Sequence, residues 1–340
     1  MLPNYLSVSG KTRQNDLDVG FTISIQPGSS TTQAGVQGAN ANQGGNENRQ
    51  AFLTFGDASW GSIKLGRDLG IYASDAILND MTLLGVGAGA GNLAGNTTTL
   101  GRIGTGFMYA DWKSQIAYSS PSWNGFSFTA GVTQSWDAVS GSIGGASSNQ
   151  RGGSQPAFEG KASYAFTDVA GSGVAGKVWA SGITQKVQNL SSTTAVGGRV
   201  NDRAEAFDIG ANINVAGFGL TGYYGNGSGI GQTFQLFDGF DATGAQRDSD
   251  QWYVQGTYTV PGVGTKLGVS YGESTLDGNA VDTFSDVNDR MWVVGAYHPL
   301  TKHLNLVAEY SDTERNVAVK TTGDSSGKSK TVSLGAILFF

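Results

Sequence analysis

The chain has 340 residues, of which 53 are glycine, 6 are proline and none is cysteine, while 14% are charged and the formal net charge is −6. A soluble domain usually has nearer a quarter of its residues charged, and no apolar run approaches the roughly 18 residues that a transmembrane helix needs. The composition therefore disfavours a soluble α/β enzyme and excludes a helical membrane protein, and no basic stripe suggests a nucleic-acid partner.

Apolar and small polar residues alternate with a period of two in segments along the whole chain. This period predicts β-strands whose two faces meet different surroundings. Such a strand crosses a bilayer in about 9–11 residues, with one face towards lipid and the other towards water. In chain order, the clearest apolar faces are Phe126/Phe128/Ala130/Val132, Phe207/Ile209/Ala211/Ile213, Leu267/Val269/Tyr271, Leu304/Leu306/Ala308/Tyr310 and Val332/Leu334/Ala336/Leu338/Phe340.

About fifteen strands are predicted. Their centres lie near Val8, Ile23, Leu53, Ile63, Ala117, Phe128, Ala162, Val178, Ile209, Tyr223, Val254, Val269, Val294, Leu306 and Leu334. Unpaired backbone groups in hydrocarbon cost several kcal/mol each, so a sheet of this kind must close on itself. The sequence thus predicts an all-β fold, a single transmembrane antiparallel β-barrel domain over residues 1–340.

The strand number is expected to be even, as in bacterial single-chain barrels. The chain opens on the turn-like Leu2-Pro3-Asn4 and shows no signal peptide. We therefore expect sixteen strands, with the first one upstream of Met1. The alternative is a strand that escapes notice within residues 69–112.

The links between the predicted strands alternate in length, with short turns on one side and long loops on the other. The short turns are Gln14–Asp16, Val215–Gly217, Pro261–Val263 and Pro299–Lys302, and the long loops are Gly28–Asn46, Val139–Pro156, Gln188–Asp202, Gly225–Asp248, Glu273–Asp286 and Thr313–Ser329. Outer-membrane barrels have this asymmetry, with extracellular long loops. Aromatic residues near strand ends suit interfacial girdles, and they are Trp60, Trp112, Trp123, Tyr224, Trp252, Tyr297 and Tyr310.

Three patches resemble the Gram-negative trimeric porins, particularly the proteobacterial general porins. Asn48–Leu53 followed by Trp60–Arg67 resembles a pair of hairpin strands in that family, and Ala117–Phe126 resembles the segment after its constriction loop. The terminal Phe340, preceded by Leu338, resembles the assembly signal read by the outer-membrane insertion machinery. The resemblance implies a sixteen-stranded homotrimer that contacts outer-membrane lipid and lipopolysaccharide.

The resemblance also implies that the third long loop, here residues 68–112, folds into the lumen. In the family this loop presents carboxylates across the pore from a ladder of arginines and lysines. Here the loop is mostly Gly, Ala, Leu and Thr, its acids after Asp68 are Asp75, Asp80 and Asp111, and the usual Pro-Glu-Phe-Gly-Gly tip is absent. The resemblance therefore does not extend to a strong transverse field at the constriction.

Charged residues are expected in the lumen or at its rim, because a cation on the lipid face would cost roughly 2–4 kcal/mol at the midplane. The candidates for the constriction are Arg67, which matches a family position for a pore arginine, and Arg49, Lys64, Arg102, Asp75 and Asp80. The further lumen candidates are Lys11, Arg13, Lys113, Lys161, Lys177, Lys266 and Glu309. For each of them the alternative is a solvated strand end with no role in selectivity.

Catalytic chemistry has little support in the sequence. The two histidines, His298 and His303, flank a short turn and form no recognisable metal or Ser/His/Asp arrangement, so neither a cofactor nor an enzymatic activity is expected. The predicted function is an outer-membrane porin, a passive aqueous channel for small hydrophilic solutes and ions. One alternative is a porin selective for small organic anions, and another is a barrel with an adhesin or enzyme role at its extracellular loops.

Overall fold

The computed structural model describes residues 4–27, 46–85, 108, 110–141, 143–150 and 152–340. Its strands are β1 (Leu6–Gln14), β2 (Leu17–Pro27), β3 (Asn46–Glu47), β4 (Ala51–Asp57), β5 (Gly61–Leu69), β6 (Trp112–Ser119), β7 (Phe126–Thr133), β8 (Ala157–Phe166), β9 (Ala175–Ser191), β10 (Arg199–Val215), β11 (Phe218–Ser228), β12 (Asp248–Thr259), β13 (Lys266–Asp277), β14 (Phe284–Pro299), β15 (Leu304–Val319) and β16 (Ser325–Leu338). The helix α1 (Ser74–Asn79) precedes a 3-10 turn at Met81–Leu84, and two further 3-10 turns occupy Val169–Gly171 and Val196–Gly198. In these ranges no helix has the length and apolar character to cross a membrane.

Fifteen of the strands form one antiparallel sheet in which each pairs with the next along the chain, while the two-residue β3 pairs with β2 alone. Every predicted strand centre lies within one of the fifteen, so the all-β fold is confirmed. Among the described residues β1 and β16 form the two edges of the sheet. The described part of 69–112 contains no additional strand, and the strand expected upstream of Met1 stays a prediction.

The two faces of the sheet differ as the alternation predicts. On β16, Val332, Leu334 and Leu338 are 72%, 77% and 62% exposed, although all three are apolar, whereas Thr331 and Ser333 point the other way. An exposed apolar band built this way faces lipid. Of the predicted girdle residues, Trp60, Trp123, Tyr224 and Tyr310 are exposed with it. Tyr297 was placed wrongly, because it lies in the inward phase of β14 and is 7% exposed.

The sheet is rolled up around the segment that follows β5. The backbone of that segment binds Glu159 on β8, and its Met81 packs with Met291 and Val293 on β14 and Val307 on β15. A segment of this length contacts strands so far apart in the sheet order only if their inner faces converge. This convergence defines the inner side of the β-barrel.

The short turns lie where the sequence predicts them, and two of them have the geometry of two-residue hairpins. Asn15 and Asp16 have φ values of 47° and 63°, and Ala216 and Gly217 have 48° and 84°. Positive φ at both central residues is the type I′ turn, whose twist matches that of paired strands.

Three of the predicted long loops are largely strand. Pairing continues to Ser191↔Arg199, Asp277↔Asp286 and Val317↔Ser325, so the loops expected at 188–202, 273–286 and 313–329 shrink to short connections. Beyond the bilayer both faces of a hairpin meet water, so the apolar alternation disappears although the backbone ladder continues. The long connections on one side of the barrel are therefore partly hairpins that extend beyond the bilayer.

The difference between the faces leads to a testable expectation on β16. Replacing Leu334 with arginine is expected to lower the free energy of unfolding by about 2–4 kcal/mol, because the cation would face hydrocarbon. Ser333→Arg, one residue away and inward, is the matched control and should cost much less. Urea unfolding of the folded barrel in lipid vesicles measures both; equal losses would contradict the assignment of the faces.

Candidate functional site

Residues 70–85, here called the inner segment, leave the end of β5 and cross the inner face of the sheet. Ala73 takes a left-handed backbone conformation, φ 62°, which turns the chain into α1. Asp80 then begins the 3-10 turn, its carboxylate accepting hydrogen bonds from the Thr82 N–H at 3.0 Å and the Thr82 hydroxyl at 2.7 Å. The local shape is thus fixed by one strained residue and one capping acid.

The first anchor of the inner segment is the carboxylate of Glu159 on β8. Its Oε1 accepts from Lys113 Nζ at 2.6 Å and from the Thr133 hydroxyl at 2.7 Å, and its Oε2 accepts from the N–H groups of Ile71 at 2.7 Å and Tyr72 at 2.9 Å. The side chains of Lys113 and Glu159 are both 0% exposed. A buried ion pair is tolerable when its remaining hydrogen-bonding capacity is used, and here four donors share one carboxylate.

The second anchor is Asp75 in the first turn of α1. Its Oδ1 lies 2.5 Å from Lys177 Nζ and its Oδ2 lies 3.0 Å from Lys161 Nζ, which also donates to the Ser74 hydroxyl at 2.9 Å. Burial by itself would raise the pKa of Asp75, but the ammonium groups of Lys161 and Lys177 outweigh it and hold that pKa below its usual value. The carboxylate is therefore ionised at neutral pH.

The third anchor comes from β12. The Tyr253 hydroxyl donates to the Ala76 carbonyl at 2.8 Å, and Gln255 accepts from the Met81 N–H at 2.7 Å while donating to the Asn79 carbonyl at 3.0 Å. The small side chain of Ala76 lets α1 approach the rings of Trp179, Tyr223 and Tyr253. Side-chain amides and a hydroxyl thus satisfy the backbone groups of a segment that has no strand partner.

The charged groups nearest α1 form one cluster. Asp75 and its two lysines are in direct contact, not on opposite sides of an opening. On the other side of the inner segment's base, Lys64 pairs with Asp68, which also accepts from Gln50 at 2.9 Å. In the family the loop's carboxylates face basic residues across the pore, whereas here the carboxylate of Asp75 touches its lysines directly.

The other lumen candidates on the inner face lie in the half of the barrel nearer the short turns. Lys11 is exposed, and Arg13 beside it lies 2.8 Å from Asp57 and 3.4 Å from Asp18 at the short-turn end. Lys266 is partly buried on β13, and Glu309 accepts from the Tyr297 hydroxyl at 2.6 Å.

Three of the constriction candidates remain, namely Arg67, Arg49 and Arg102. The register Ala51↔Arg67↔Ser114 puts Arg67 in the phase of the exposed Leu53 and Ile116, opposite to that of Lys64. Residues three apart in a strand cannot share a face, so the register does not support Arg67 as an inward residue. Arg49 is 9% exposed and lies 5.9 Å from the ring centroid of Trp112, and Arg102 lies outside the described residues.

Sequence reasoning missed Glu159, although a signal for it existed. Glu159 stands two residues before Lys161 on the same strand, so the two share the inner face. Strand alternation therefore predicts an inward position for Glu159 as directly as it does for Lys161. Gln251 and Gln255 on β12, which bind the backbone of Met108 and Met81, had no comparable signal because glutamine is common on wet faces.

A second packed region covers part of the long-loop end. It joins residues 134–150 to residues 229–247 through the Leu236, Val139 and Asp238 backbones. Arg247, 0% exposed, binds Asp282 through two nitrogens and the carbonyls of Gly144 and Asp238. The apolar residues of this region are Ala138, Ala146, Val187, Leu190, Ala204, Leu236 and Phe240. These loops therefore pack together as a cover at the long-loop end.

Within the described ranges, no group of three or more His, Cys, Asp or Glu residues is placed to hold a metal ion. The features that bear on passage of a solute are the polar inner face of the sheet, the inner segment and the cover at the long-loop end.

Comparison with known proteins gives a family and a set of folds. The family described as Gram-negative porin matches residues 5–318. A search of the curated proteins gives no match. The outer membrane channel DcaP of Acinetobacter baumannii superimposes with a TM-score of 0.68 at 16% identity, covering 99% of this chain and 85% of that one.

Two further structures show the same fold. The trimer form of OmpT from Vibrio cholerae has a TM-score of 0.58 at 16% identity, over 98% of this chain and 88% of its own. OmpF of Salmonella typhi, in complex with daunomycin, has a TM-score of 0.59 at 17% identity, over 99% and 91%. At these identities the structural likeness concerns the fold alone.

Proposed function

The chain belongs to the Gram-negative porin family and forms an outer-membrane channel for the passive diffusion of small solutes, and from this premise we propose that the inner segment is the constriction of the channel and that the channel prefers anions. The family and the fold point to a channel, not to an enzyme. The two parts of the proposal rest on different observations.

The constriction is supported by the three anchors of the inner segment. They hold α1 and the following turn against the inner faces of β8, β9 and β12, and Met81 extends the contact to β14 and β15. Selection in a pore occurs at its narrowest point. A segment fixed across the lumen at so many places narrows the pore permanently and does not act as a mobile lid.

The preference for anions is supported by the exposure of the charged groups. The side chains of Lys161 and Lys177 are 22% and 33% exposed, whereas that of Asp75 is 5% exposed. Lys64 is likewise more exposed than its partner Asp68, 31% against 11%. A solute passing the constriction thus meets ammonium groups first, with the carboxylates behind them, and the potential at the water-filled side favours anions.

The test is the reversal potential of the reconstituted channel in a KCl gradient. The wild-type chain should reverse on the anion-selective side, and Lys161→Gln with Lys177→Gln should shift the reversal potential towards cations. Lys328→Gln with Lys330→Gln removes the same charge from the outward face of β16 and should leave it unchanged. Equal reversal potentials in the two double variants would overturn the proposed role of the inner lysines.

A selective porin for small organic anions is the second candidate, favoured by the same pair of lysines. The two candidates differ in concentration dependence, since a selective channel binds its solute and saturates, whereas a general one does not. Titrating the KCl current with one class of carboxylate separates them.

We further propose that the chain forms a homotrimer, and that Phe340 and Leu338 are read by the insertion machinery. The trimer form of OmpT supports the first part. The exposure of Phe340 and Leu338, 98% and 62% at the end of β16, supports the second, since a receptor can reach them. Lipid and lipopolysaccharide are the expected surroundings of the apolar band. The native mass in detergent tests the trimer, and membrane insertion of Phe340→Ala tests the signal.

A further inference from the structure

The two lysines that hold Asp75 lie on adjacent strands at different heights. On the inner face Lys161 pairs across the sheet with Ser181, and Lys177 pairs with Ala165. Between them lies the cross-strand pair Ser163↔Trp179 in the same phase. The two long side chains therefore converge from opposite directions on one point, and the carboxylate of Asp75 occupies that point.

Both ammonium groups at this point have N–H donors that their hydrogen bonds and ion pairs with Ser74 and Asp75 do not use. Each ammonium carries three N–H donors. Lys161 donates one to Ser74 and lies 3.0 Å from Asp75 Oδ2 as an ion pair, which leaves at least one N–H, and Lys177 donates one to Asp75 Oδ1, which leaves two. The indole N–H of Trp179, 3% exposed, has no partner within the described part of the chain. Asp75 Oδ2 and Asp208 Oδ2 also lack a hydrogen-bond partner there but are buried, whereas both lysines are partly open to the lumen and can present their remaining N–H groups to a solute.

We propose that Lys161 and Lys177 form a binding site for the carboxylate group of a passing solute, and that Asp75 is a built-in carboxylate that fills this site between passages. This inference rests on the proposed anion preference and assigns it a solute class. A second carboxylate can bind the unused donors before Asp75 gives up its own bonds. The exchange replaces one carboxylate with another, so neither lysine is left unpaired.

Such an exchange lets the solute leave the site again. Conduction requires binding strong enough to admit the solute and weak enough to release it. Two lysines without a resident acid would hold a carboxylate too firmly, whereas Asp75 returns as the solute leaves. The acid of the constriction thus acts as a competitor for the site and not as the opposite pole of a transverse field.

The experiment measures block of the single-channel KCl current by succinate, with the neutral succinamide as a control of size. Asp75→Asn is expected to lower the half-blocking succinate concentration about tenfold, because both lysines lose their resident charge. Asp75→Glu retains the competitor and should resemble the wild-type chain. Asp312→Asn removes an acid that pairs with Lys330 on the outward face and should have no effect. Block by succinamide should be unchanged in all of them.

Each outcome decides the inference. Tighter succinate block in Asp75→Asn that disappears when Lys161→Gln and Lys177→Gln are added supports it. Unchanged or weaker block in Asp75→Asn overturns it, and so does tighter block that persists without the lysines, which would indicate a shifted α1. A wild-type reversal potential on the anion side together with unchanged block would remove this inference alone, whereas a reversal potential on the cation side would remove the anion preference beneath it.

Discussion

Replacing Lys113 with methionine is expected to lower the free energy of unfolding by about 3–5 kcal/mol. The substitution leaves the Glu159 carboxylate in a place with no exposure and without its counter-charge. The hydroxyl of Thr133 and the N–H groups of Ile71 and Tyr72 remain as donors, but they do not neutralise it. Urea unfolding followed by the heat-dependent gel mobility of the folded barrel measures the loss.

Two control variants make this result specific. Lys330→Met breaks an exposed ion pair, 3.6 Å from Asp312, and such pairs contribute about 0–1 kcal/mol. Lys113→Met combined with Glu159→Met removes both charges and should recover part of the stability, while the N–H groups of Ile71 and Tyr72 lose their acceptor. If Lys113→Met and Lys330→Met were equally stable, the buried pair would not be the anchor described here.

Replacing residues 74–84 with a short glycine–serine link is expected to raise the single-channel conductance roughly twofold or more, since the narrowest point of a pore sets its resistance. The same change removes Asp75 and leaves Lys161 and Lys177 without their acid, so the reversal potential should move further towards anions. Planar-bilayer recording gives both quantities in one experiment.

The control for this deletion is a change of similar size away from the lumen. Shortening the connection between β8 and β9, at residues 167–174 on the short-turn side, should leave conductance and reversal potential as they are. A conductance that stays at the wild-type value after loss of residues 74–84 would show that the constriction lies elsewhere, for example at the cover held by Arg247.

The sequence predicts the strands well because lipid and water impose a period of two. Every predicted centre, from Val8 to Leu334, lies in a strand of the sheet. The prediction fails where that contrast ends, as on β9 and β10, which continue to Ser191 and Arg199 with water on both sides. The strand ladder there depends on backbone pairing, which leaves no pattern in side-chain polarity.

The candidate site was predicted residue by residue but not as an assembly. Asp75 was a candidate for the constriction and Lys161 and Lys177 were candidates for the lumen, but their spacing in the sequence does not indicate that the three side chains meet. Their contacts span 86 or more positions and depend on how far the inner segment reaches into the barrel. Resemblance to the family pointed to Arg67, whereas strand alternation, applied from Lys64, argues against it. Local periodicity was the better guide to which side chains face water.

The reversal potential of the wild-type channel, measured with its conductance in a planar bilayer over a range of KCl concentrations, tests the central claim most directly. A porin with a fixed, lysine-lined constriction should conduct without saturation by KCl and should reverse on the anion-selective side. A chain that inserts and folds but passes no current, or a current that reverses on the cation-selective side, would contradict it.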